Sequence, residues 1–460
     1  MTVTAQATSS SGDIHDPTSA AYKKARRKYL KSTRNRPGHV DAEWTPFRAA
    51  EKKYKARFPP PDLSDVLDIA STDHTRAAET SKGRWKGRAD AVDCTEIPLR
   101  ENEGGRKAYV FPSTPGLVYL PSFVPHNEQR QLVRWALRDH ARLPNETNLD
   151  THYVLPPEGL WNQYLRVRKG ECEDAEILPR AFLQPTSATA SDASAAQPKA
   201  ADAEPPGPRK LVANEAASPG NYKSLANTPK LPAAPSQSVR PILTSNLVPK
   251  LRWANIGWYY HWGTKQYDFS RGPGEIADLV RGVCRRAVEQ IPWEEVFGDG
   301  VGDEMDWGET GPDWAYWKET YEPDAGIVNF YQTKDTLMAH ADRSEICATS
   351  PLVSISLGCA AVFLIGGLTR DDPPTPILLR SGDAVVMSGP ACRRAYHGVP
   401  RILEGTLPPH LEGPNVWGSD EDDWGVYEEY LCGTRINVNV RQVFPKGFDP
   451  VLYWTQQNEV

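Results

Sequence analysis

The chain has 460 residues, of which 39% are hydrophobic and 24% are charged, and its formal net charge is −6. This balance excludes a collagen-like chain, a wholly disordered chain and a small disulfide-stapled protein. No long apolar run occurs and the first residues lack the order of a secretory signal, so we expect a soluble, intracellular protein with no membrane partner. Seven scattered cysteines without a CxxC pair predict reduced thiols rather than disulfides or a cysteine-ligated zinc site.

Positive charge is concentrated near the N-terminus. Between Lys23 and Arg57, thirteen Lys and Arg residues stand against three acidic residues, a local charge of +10. Such a run attracts phosphate backbones or serves as a nuclear import signal, and a solvated helix in a mobile arm is the plain alternative. We therefore predict a disordered basic arm and a location in the nucleus, the cytoplasm or both.

A low-complexity segment interrupts the chain at Thr186–Arg240. Of its 55 residues, 32 are Ala, Pro, Ser or Thr and one is aromatic. Such a segment buries too little apolar surface to offset the entropy lost on ordering, so we predict a disordered insertion. Composition alone leaves open whether the parts on either side are two domains or one interrupted domain.

The predicted regular elements are short. The N-terminal part predicts a strand at Gly116–Leu120 and a helix from Asn127, and a further helix is predicted at Glu275–Gln290. Short β-rich runs separated by glycine turns predict strands at Ile327–Gln332, Leu352–Leu357, Ala361–Ile365, Ile377–Leu379, Ala384–Met387 and Arg435–Val443. Short strands with tight turns and few long helices predict a mainly β (α+β) fold of the sandwich or jelly-roll kind.

Three residues of this β-rich part could hold a metal ion. In His340-Ala-Asp342 the imidazole and the carboxylate are two residues apart, so on a strand they project side by side. The pattern is weak by itself, and His39-Val-Asp41 repeats it in the basic arm. His397 follows the glycine-punctuated strands and would come from a later strand. Two histidines and one carboxylate are the ligand set of non-haem Fe(II) oxygenases.

The last predicted strand has one polar and one apolar face. Strict alternation places Arg435, Asn437, Asn439 and Arg441 on one face and Ile436, Val438 and Val440 on the other. Arginine offers paired donors to carboxylates, which favours a dicarboxylate cosubstrate; an exposed edge strand is the plain alternative. Asn329 and Tyr331 alternate on an earlier strand and can also donate to a carboxylate.

Together these motifs resemble the AlkB family of Fe(II)- and 2-oxoglutarate-dependent dioxygenases, and within it the AlkB homologue one subfamily. The resemblance runs from roughly Phe47 to Val443. The segments that carry it are Lys250-Leu-Arg-Trp253, Asn329-Phe-Tyr331, His340-Ala-Asp342-Arg343-Ser344-Glu345, Phe363-Leu-Ile-Gly366-Gly-Leu-Thr-Arg370-Asp371, Ser381-Gly382-Asp383 and Arg435-Ile-Asn-Val-Asn-Val-Arg441.

The resemblance implies a double-stranded β-helix with flanking helices, preceded by a nucleotide-recognition lid. It implies Fe(II) held by His340, Asp342 and His397, with O2 as cosubstrate. It implies 2-oxoglutarate held by Asn329, Tyr331, Arg435, Asn437 and Arg441. For the substrate it implies contacts from Trp161, Trp258, Tyr259, Tyr260, Arg343 and Ser344, although for the aromatic side chains packing in the core is the plain alternative.

The lid favours one interrupted domain. The predicted organisation is a disordered basic arm at 1–43, an N-terminal extension with the start of the lid at 44–185, the disordered insertion at 186–240, the rest of the lid with a supporting helix at 241–326, the dioxygenase barrel at 327–445 and a tail at 446–460. We expect a monomer, and the resemblance also allows a mitochondrial location.

The expected activity is oxidative demethylation or hydroxylation of methylated bases in tRNA or in single-stranded or unpaired DNA, where flipping out a base costs least. Ser344 stands where alkylation-repair members of the family have an acidic residue, which favours tRNA over direct repair of DNA. Two alternatives stay open. One is a demethylase or hydroxylase of histone tails or other proteins, which the acidic stretches Asp299–Asp324 and Asp420–Glu429 would suit. The other is a nucleic-acid-binding adaptor without turnover.

Overall fold

The computed structural model describes residues 14–34, 44–82, 85–100, 105–182, 215–298, 300, 305–308, 311–413, 423–445, 447–448 and 450. Its helices are α1 (Ala20–Thr33), α2 (Pro46–Lys55), α3 (Ala77–Thr80), α4 (His126–Arg134), α5 (Leu160–Arg168), α6 (Tyr222–Asn227), α7 (Thr244–Leu247), α8 (Asp278–Gln290), α9 (Trp293–Phe297), α10 (Trp317–Thr320), α11 (Gly389–Arg393) and α12 (Trp424–Leu431). Among these described helices, none has the length and apolar character needed to cross a membrane.

The strands are β1 (Thr95–Pro98), β2 (Lys107–Val110), β3 (Leu117–Leu120), β4 (Glu176–Ile177), β5 (Ile242–Leu243), β6 (Trp253–Gly257), β7 (Tyr260–His261), β8 (Gln266–Tyr267), β9 (Ala325–Gln332), β10 (Leu337–His340), β11 (Leu352–Gly358), β12 (Ala361–Ile365), β13 (Thr375–Leu379), β14 (Ala384–Met387), β15 (His397–Ile402) and β16 (Thr434–Arg441). An eight-stranded sheet has the order β1-β2-β3-β14-β11-β16-β9-β6, and a four-stranded sheet has the order β10-β15-β12-β13. All their strand pairs are antiparallel, and one buried apolar cluster draws on both sheets. This arrangement confirms the predicted jelly roll with flanking helices.

Strand β16 lies inside the larger sheet, between β11 and β9, so the edge-strand alternative is wrong. Its apolar residues Ile436, Val438 and Val440 are fully buried in a cluster that includes Val280 and Val283 of α8. Burial of one such branched side chain stabilises the fold by roughly 1.5–3 kcal/mol, which holds this face of the strand against the helices. The alternating polar residues must therefore point to the inside of the barrel.

Most predicted strands of the barrel are present with ends shifted by one or two residues. The prediction misses β10, which has four residues, and it extends the last strand to Val443 although β16 ends at Arg441. Strand β10 carries only a brief apolar run, so its pairing with β15 rather than its own pattern defines it.

The predicted disordered arm is wrong for residues 20–33, which form helix α1. Tyr22 and Tyr29 are seven residues apart and so lie on one face of the helix, and both rings contact Phe58, with centroids 4.9 and 5.6 Å away. This aromatic contact docks a strongly basic helix on the folded domain. Residues 1–13 and 35–43 of the predicted arm lie outside the described residues.

The predicted disorder is also wrong for the last part of the insertion. Residues 215–235, which we call the strap, lie against the barrel, and α6 begins within them at Tyr222. Tyr222 is the one aromatic residue of the insertion, and its ring is buried against Phe269, Phe444 and Phe448. The average composition of the insertion does not reveal that a single aromatic residue anchors part of it to the barrel. Residues 183–214 lie outside the described residues, as does most of the predicted tail.

Candidate active site

Strands β10 and β15 bring the three predicted metal ligands together. His340 is the last residue of β10 and pairs in register with His397, the first residue of β15, with ring centroids 4.4 Å apart. Asp342 lies two residues beyond the end of β10, so a loop rather than a strand presents its carboxylate. One potential ligand atom from each of the three side chains lies within 4.8 Å of the others. This spacing suits a single metal ion bound by two imidazoles and one carboxylate.

Backbone carbonyls fix the tautomers of both histidines. Nδ1 of His340 lies 3.0 Å from the carbonyl oxygen of Met338, and Nδ1 of His397 lies 3.1 Å from that of Ala395. Because a carbonyl only accepts, each Nδ1 carries the proton and each Nε2 presents a lone pair. Burial lowers the pKa of His397 to about 4, so its imidazole is neutral, as metal binding requires, at neutral pH.

Arg441 holds the acidic ligand in place. Its Nη1 lies 2.8 Å from Oδ2 of Asp342 and 2.5 Å from Oε1 of Glu345. The other carboxylate oxygen of Asp342, Oδ1, lies 3.7 Å from Nε2 of His340. Burial raises the pKa of the Asp342 carboxyl, but Arg441 and the two histidines outweigh burial and hold that pKa well below its ordinary value. The carboxylate is thus ionised and has one oxygen on the side of the histidines.

Arg435 is a buried cation that forms no ion pair with any carboxylate in the described part of the chain. Its residue is 1% exposed, and Nη2 donates to Oγ of Ser356 at 2.9 Å. Its Nε and Nη1 have no hydrogen-bond partner within the described part of the chain. Burial lowers the pKa of Arg435 to about 10, so the group is still charged at neutral pH. An unpaired buried cation is costly, and a ligand carboxylate would satisfy both orphaned donors.

The other predicted 2-oxoglutarate residues share the inner face of β9 and β16. Tyr331 is opposite Arg435 in the register, and its ring centroid is 5.7 Å from that guanidinium. Asn437 is opposite Asn329, and its Nδ2 donates to Oγ of Ser354 at 2.8 Å. Arg441 differs from Arg435 because two carboxylates already engage it. The donor set therefore fits a dicarboxylate. Within this set, Arg435 is the cation that still lacks an anion among the described residues.

Three predicted substrate residues lie beside the metal ligands. Arg343 and Ser344 directly follow Asp342, and the hydroxyl of Tyr260 lies close to the side chain of Ser344. Oγ of Ser344 also lies 2.9 Å from the carbonyl oxygen of Lys265, in the turn between β7 and β8. The β7–β8 hairpin is therefore attached to the loop that carries the acidic ligand.

Two predicted substrate contacts are wrong. Trp161 is 2% exposed, and its ring lies 4.9 Å from that of Tyr427 and 5.1 Å from that of Tyr430, both in α12. Trp258 is 5% exposed and packs against Phe269 and Phe444. Neither ring has a face available for a base, so the packing alternative is correct for both.

Tyr259 lines a groove beside the β7–β8 hairpin. Two adjoining cavities of about 410 and 540 Å³ share Tyr259, and the guanidinium of Arg271 lies 3.7 Å above its ring. The predicted substrate contacts leave out Trp262, although its segment, Gly257 to Trp262, resembles the lid of the family; this side chain lines the larger cavity and is 42% exposed. Its spacing of two residues from Tyr260 was the available signal, because alternate residues of a strand share a face.

Comparisons with known proteins agree with this geometry. The sequence profile described as the 2OG-Fe(II) oxygenase superfamily matches residues 222–441. The nucleic acid dioxygenase ALKBH1 of Homo sapiens is 34% identical over 429 residues, which cover 86% of this chain and 83% of that protein. The DNA N(6)-methyladenine demethylase ALKBH1A of Arabidopsis thaliana is 28% identical, with 88% of this chain and 97% of that protein covered. The tRNA demethylase abh1 of Schizosaccharomyces pombe is also 28% identical, with 87% and 96% covered.

The human relative is similar enough, over enough of both chains, to establish the family. The matched profile ends at Arg441 and contains all three metal-ligand candidates. The family is one of enzymes that use Fe(II), 2-oxoglutarate and O2. The predicted family is thus confirmed: the chain belongs to the AlkB family of Fe(II)- and 2-oxoglutarate-dependent dioxygenases and is similar to its ALKBH1 members.

Proposed function

We propose that this enzyme oxidatively demethylates or hydroxylates methylated bases in nucleic acid, with tRNA and single-stranded or unpaired DNA as its substrates. The proposal is carried by one observation: the barrel interior holds both the His340, Asp342 and His397 group and the guanidinium of Arg435, whose Nε and Nη1 have no hydrogen-bond partner among the described residues. A metal site and a buried carboxylate site in one barrel are what this class of dioxygenase requires.

Each residue of the site has its own role in the proposed reaction. His340, Asp342 and His397 would hold Fe(II), and Arg435 would bind a carboxylate of 2-oxoglutarate with its free Nε and Nη1. When bound, Fe(II), 2-oxoglutarate and O2 supply the oxidation of a methyl carbon, with succinate and CO2 as coproducts. Arg441 keeps Asp342 ionised and fixes its orientation. Tyr260 and Ser344 lie close together beside the acidic ligand.

The choice of nucleic acid as substrate rests on the relatives and on charge. The three relatives are named as a nucleic acid dioxygenase, a DNA demethylase and a tRNA demethylase. Helix α1 adds Lys23, Lys24, Arg26, Arg27, Lys28 and Lys31 without an acidic residue, and such a helix favours phosphate backbones. The position two residues after Asp342 holds Ser344, where alkylation-repair members of the family have an acidic residue, which favours tRNA over repair of methylated DNA bases.

The test is nucleoside mass spectrometry on total tRNA and genomic DNA. Each is incubated with the protein, Fe(II), 2-oxoglutarate and O2, beside a His340→Ala control. We expect the wild type alone to remove one methylated nucleoside or to convert it to its hydroxymethyl form. Succinate release with no change in any nucleoside would contradict the proposal and would indicate a protein substrate.

A further inference from the structure

We propose that the groove between the strap and the β7–β8 hairpin is a second nucleobase site, which binds the nucleotide next to the target base in an unpaired strand. This inference rests on the proposed function and deepens it, because it assigns the class of strand that the enzyme accepts. The groove is the cavity of about 540 Å³ lined by Trp253, Tyr259 and Trp262 on one side and by Lys230, Pro232 and Pro235 of the strap on the other.

The groove lies close to the three candidate metal ligands. Oγ of Ser344, two residues after Asp342, donates to the carbonyl oxygen of Lys265 in the turn of the hairpin at 2.9 Å, and the hydroxyl of Tyr260 lies close to Ser344. The rings of Tyr260 and Trp262 meet edge to face, with centroids 5.0 Å apart. A base on Trp262 would therefore be separated by a single aromatic ring from a base at the Ser344 loop. That separation suits adjacent nucleotides of one strand.

The indole ring of Trp262 is partly exposed and stacks on a second ring. It is 42% exposed, and its other contacts include the ring of Trp253, with centroids 4.9 Å apart and planes inclined by 28°. The stacked partner gives the exposed indole a fixed orientation, which is the arrangement of a stacking platform. Every nucleobase has a flat π-face, so such a platform binds bases with little regard to sequence.

The strap forms the wall of the groove opposite Trp262. The strap is attached to the metal-ligand loop, because the amide of Ala217 donates to the carbonyl oxygen of Arg343 at 2.8 Å. Arg394 reinforces this link, since its Nη1 and Nη2 donate to the carbonyl oxygens of Asp342 and Ala217 at 2.7 and 3.0 Å.

The other end of the strap is attached to the hairpin. Nε2 of His261, in β7, lies 2.9 Å from the carbonyl oxygen of Leu231. The strap therefore forms one wall of the groove, and Lys230, whose ammonium group also donates to the carbonyl oxygen of Leu225, lines that wall. A cation beside a stacking platform suits the phosphate that joins two nucleotides.

The acidic residues of the groove have partners of their own. Glu146 pairs with Arg271 at 3.0 Å, and Asp150 accepts hydrogen bonds from the amide and the hydroxyl of Thr147 at 2.8 and 2.6 Å. Asp268 accepts from the amide and the hydroxyl of Ser270 at 3.2 and 2.6 Å. These contacts reduce the repulsion that an approaching phosphate would meet.

A base can reach Trp262 only if neighbouring bases do not cover its faces, so the site selects loops, bulges and single strands.

The experiment uses protein loaded with Fe(II) and 2-oxoglutarate without O2, and single-stranded DNA oligonucleotides that contain one N6-methyladenine. Three oligonucleotides are compared, one intact and two with an abasic residue immediately 5′ or 3′ of the methylated base. Dissociation constants are measured by fluorescence anisotropy for the wild type, Trp262→Ala, Trp262→Phe and the control Tyr316→Ala. Tyr316 is suitable because it is an exposed aromatic residue that does not line the groove.

We expect Trp262→Ala to weaken binding of the intact oligonucleotide by about tenfold, which is within the range of one base stacked on an aromatic ring. One of the two abasic oligonucleotides should bind the wild type equally weakly and should lose nothing further in Trp262→Ala. Trp262→Phe should keep most of the affinity, and Tyr316→Ala all of it. Lys230→Gln should lower the dependence of log Kd on log salt by about one, which Lys230→Arg should not do.

Equal weakening of all three oligonucleotides by Trp262→Ala, or no weakening of any, would overturn the second base site. Admitting O2 to the same samples separates this failure from failure of the proposed function. If the wild type removes the methyl group while Trp262→Ala behaves like the wild type toward every oligonucleotide, the second site is wrong and the proposed function stands. If no methylated nucleoside in tRNA or DNA reacts with the wild type, the proposed function itself is wrong.

Discussion

The inside of the barrel and the groove beside it place their side chains by different means. In the barrel, Asn329, Tyr331, Arg435 and Asn437 lie on neighbouring strands and face one another in a fixed register. In the groove, Trp253, Trp262 and Lys230 come from a strand, a turn and the end of a low-complexity insertion. Strand pairing sets the first arrangement, and aromatic contacts with a few backbone hydrogen bonds set the second.

This difference shows where chemistry and selection are located in the fold. His340 and His397 are paired directly across β10 and β15, and a buried core backs these strands, so the positions of the two imidazoles vary little. The hairpin and the strap have fewer backbone hydrogen bonds and more exposed surface, so changes there should alter the substrate without altering the oxidation. Four predictions test this division, from the largest expected effect to the smallest.

Replacement of a metal ligand should abolish all turnover. His340→Ala removes one of the two imidazoles, and we expect succinate formation to fall by more than about a thousandfold with every substrate. His74→Ala, which removes an exposed histidine far from the ligands in sequence, should leave the rate unchanged. Retention of substantial activity by His340→Ala would show that the metal site is assigned to the wrong residues.

Loss of the buried cation should affect 2-oxoglutarate and spare the nucleic acid. Arg435→Met removes the orphaned donors, and we expect the KM for 2-oxoglutarate to rise by about 100-fold, in line with about 1.5–3 kcal/mol for a hydrogen bond to a charged group. The KM for nucleic acid should stay the same. Because an unpaired buried charge is costly, the variant without ligand should melt no lower than the wild type.

A second readout separates binding from folding in this variant. Addition of 2-oxoglutarate and metal should raise the melting temperature of the wild type by mass action, and it should raise that of Arg435→Met much less. An unchanged KM together with equal thermal shifts would mean that the carboxylate binds elsewhere in the barrel.

The same difference explains what the sequence could predict. Alternation in Arg435–Arg441 depends on the period of a strand, so the barrel and the inner polar face could be predicted. The clustering of His340, Asp342 and His397 could also be predicted, although Asp342 lies on a loop beyond β10 and not on the strand itself. The docked strap could not be predicted, because it depends on one aromatic residue, Tyr222, meeting three phenylalanines from distant segments. Trp161 and Trp258 were misplaced for a related reason, since an aromatic residue has the same sequence pattern in a core as on a binding face.

Asp324 joins the two regions and should make stability depend on pH. Its carbonyl oxygen accepts from the amide of Trp258 at 3.0 Å, and its Oδ1 accepts from the amide of Val443 at 2.7 Å. Burial raises the pKa of Asp324 from 3.8 to about 7. The folded state thus binds a proton more tightly than the unfolded state, so this contribution to stability is present below about pH 4 and is lost as the pH rises to about 7.

Asp324→Asn should remove that pH dependence, because the amide oxygen can still accept from Val443 and the side chain no longer ionises. We expect the free energy of unfolding, measured by urea titration, to fall between pH 5 and pH 8 by about 1–3 kcal/mol more in the wild type than in the variant. Glu322→Gln serves as a control for a nearby exposed carboxylate that pairs with Arg285. Parallel pH profiles for the wild type and Asp324→Asn would show that Asp324 stays ionised in the folded state.

The smallest effect is expected from helix α1, which lies outside both regions and should contribute only charge. The combined change of Lys24→Gln and Lys28→Gln should reduce the slope of log Kd against log salt by about two if both side chains meet phosphates. Binding of tRNA at 0.15 M salt should weaken a few-fold, and succinate formation without nucleic acid should not change. Lys107→Gln with Lys318→Gln makes the same change in net charge away from α1 and should leave the slope unaltered. If the control pair lowers the slope as much as the α1 pair, overall charge rather than the docked helix attracts the nucleic acid.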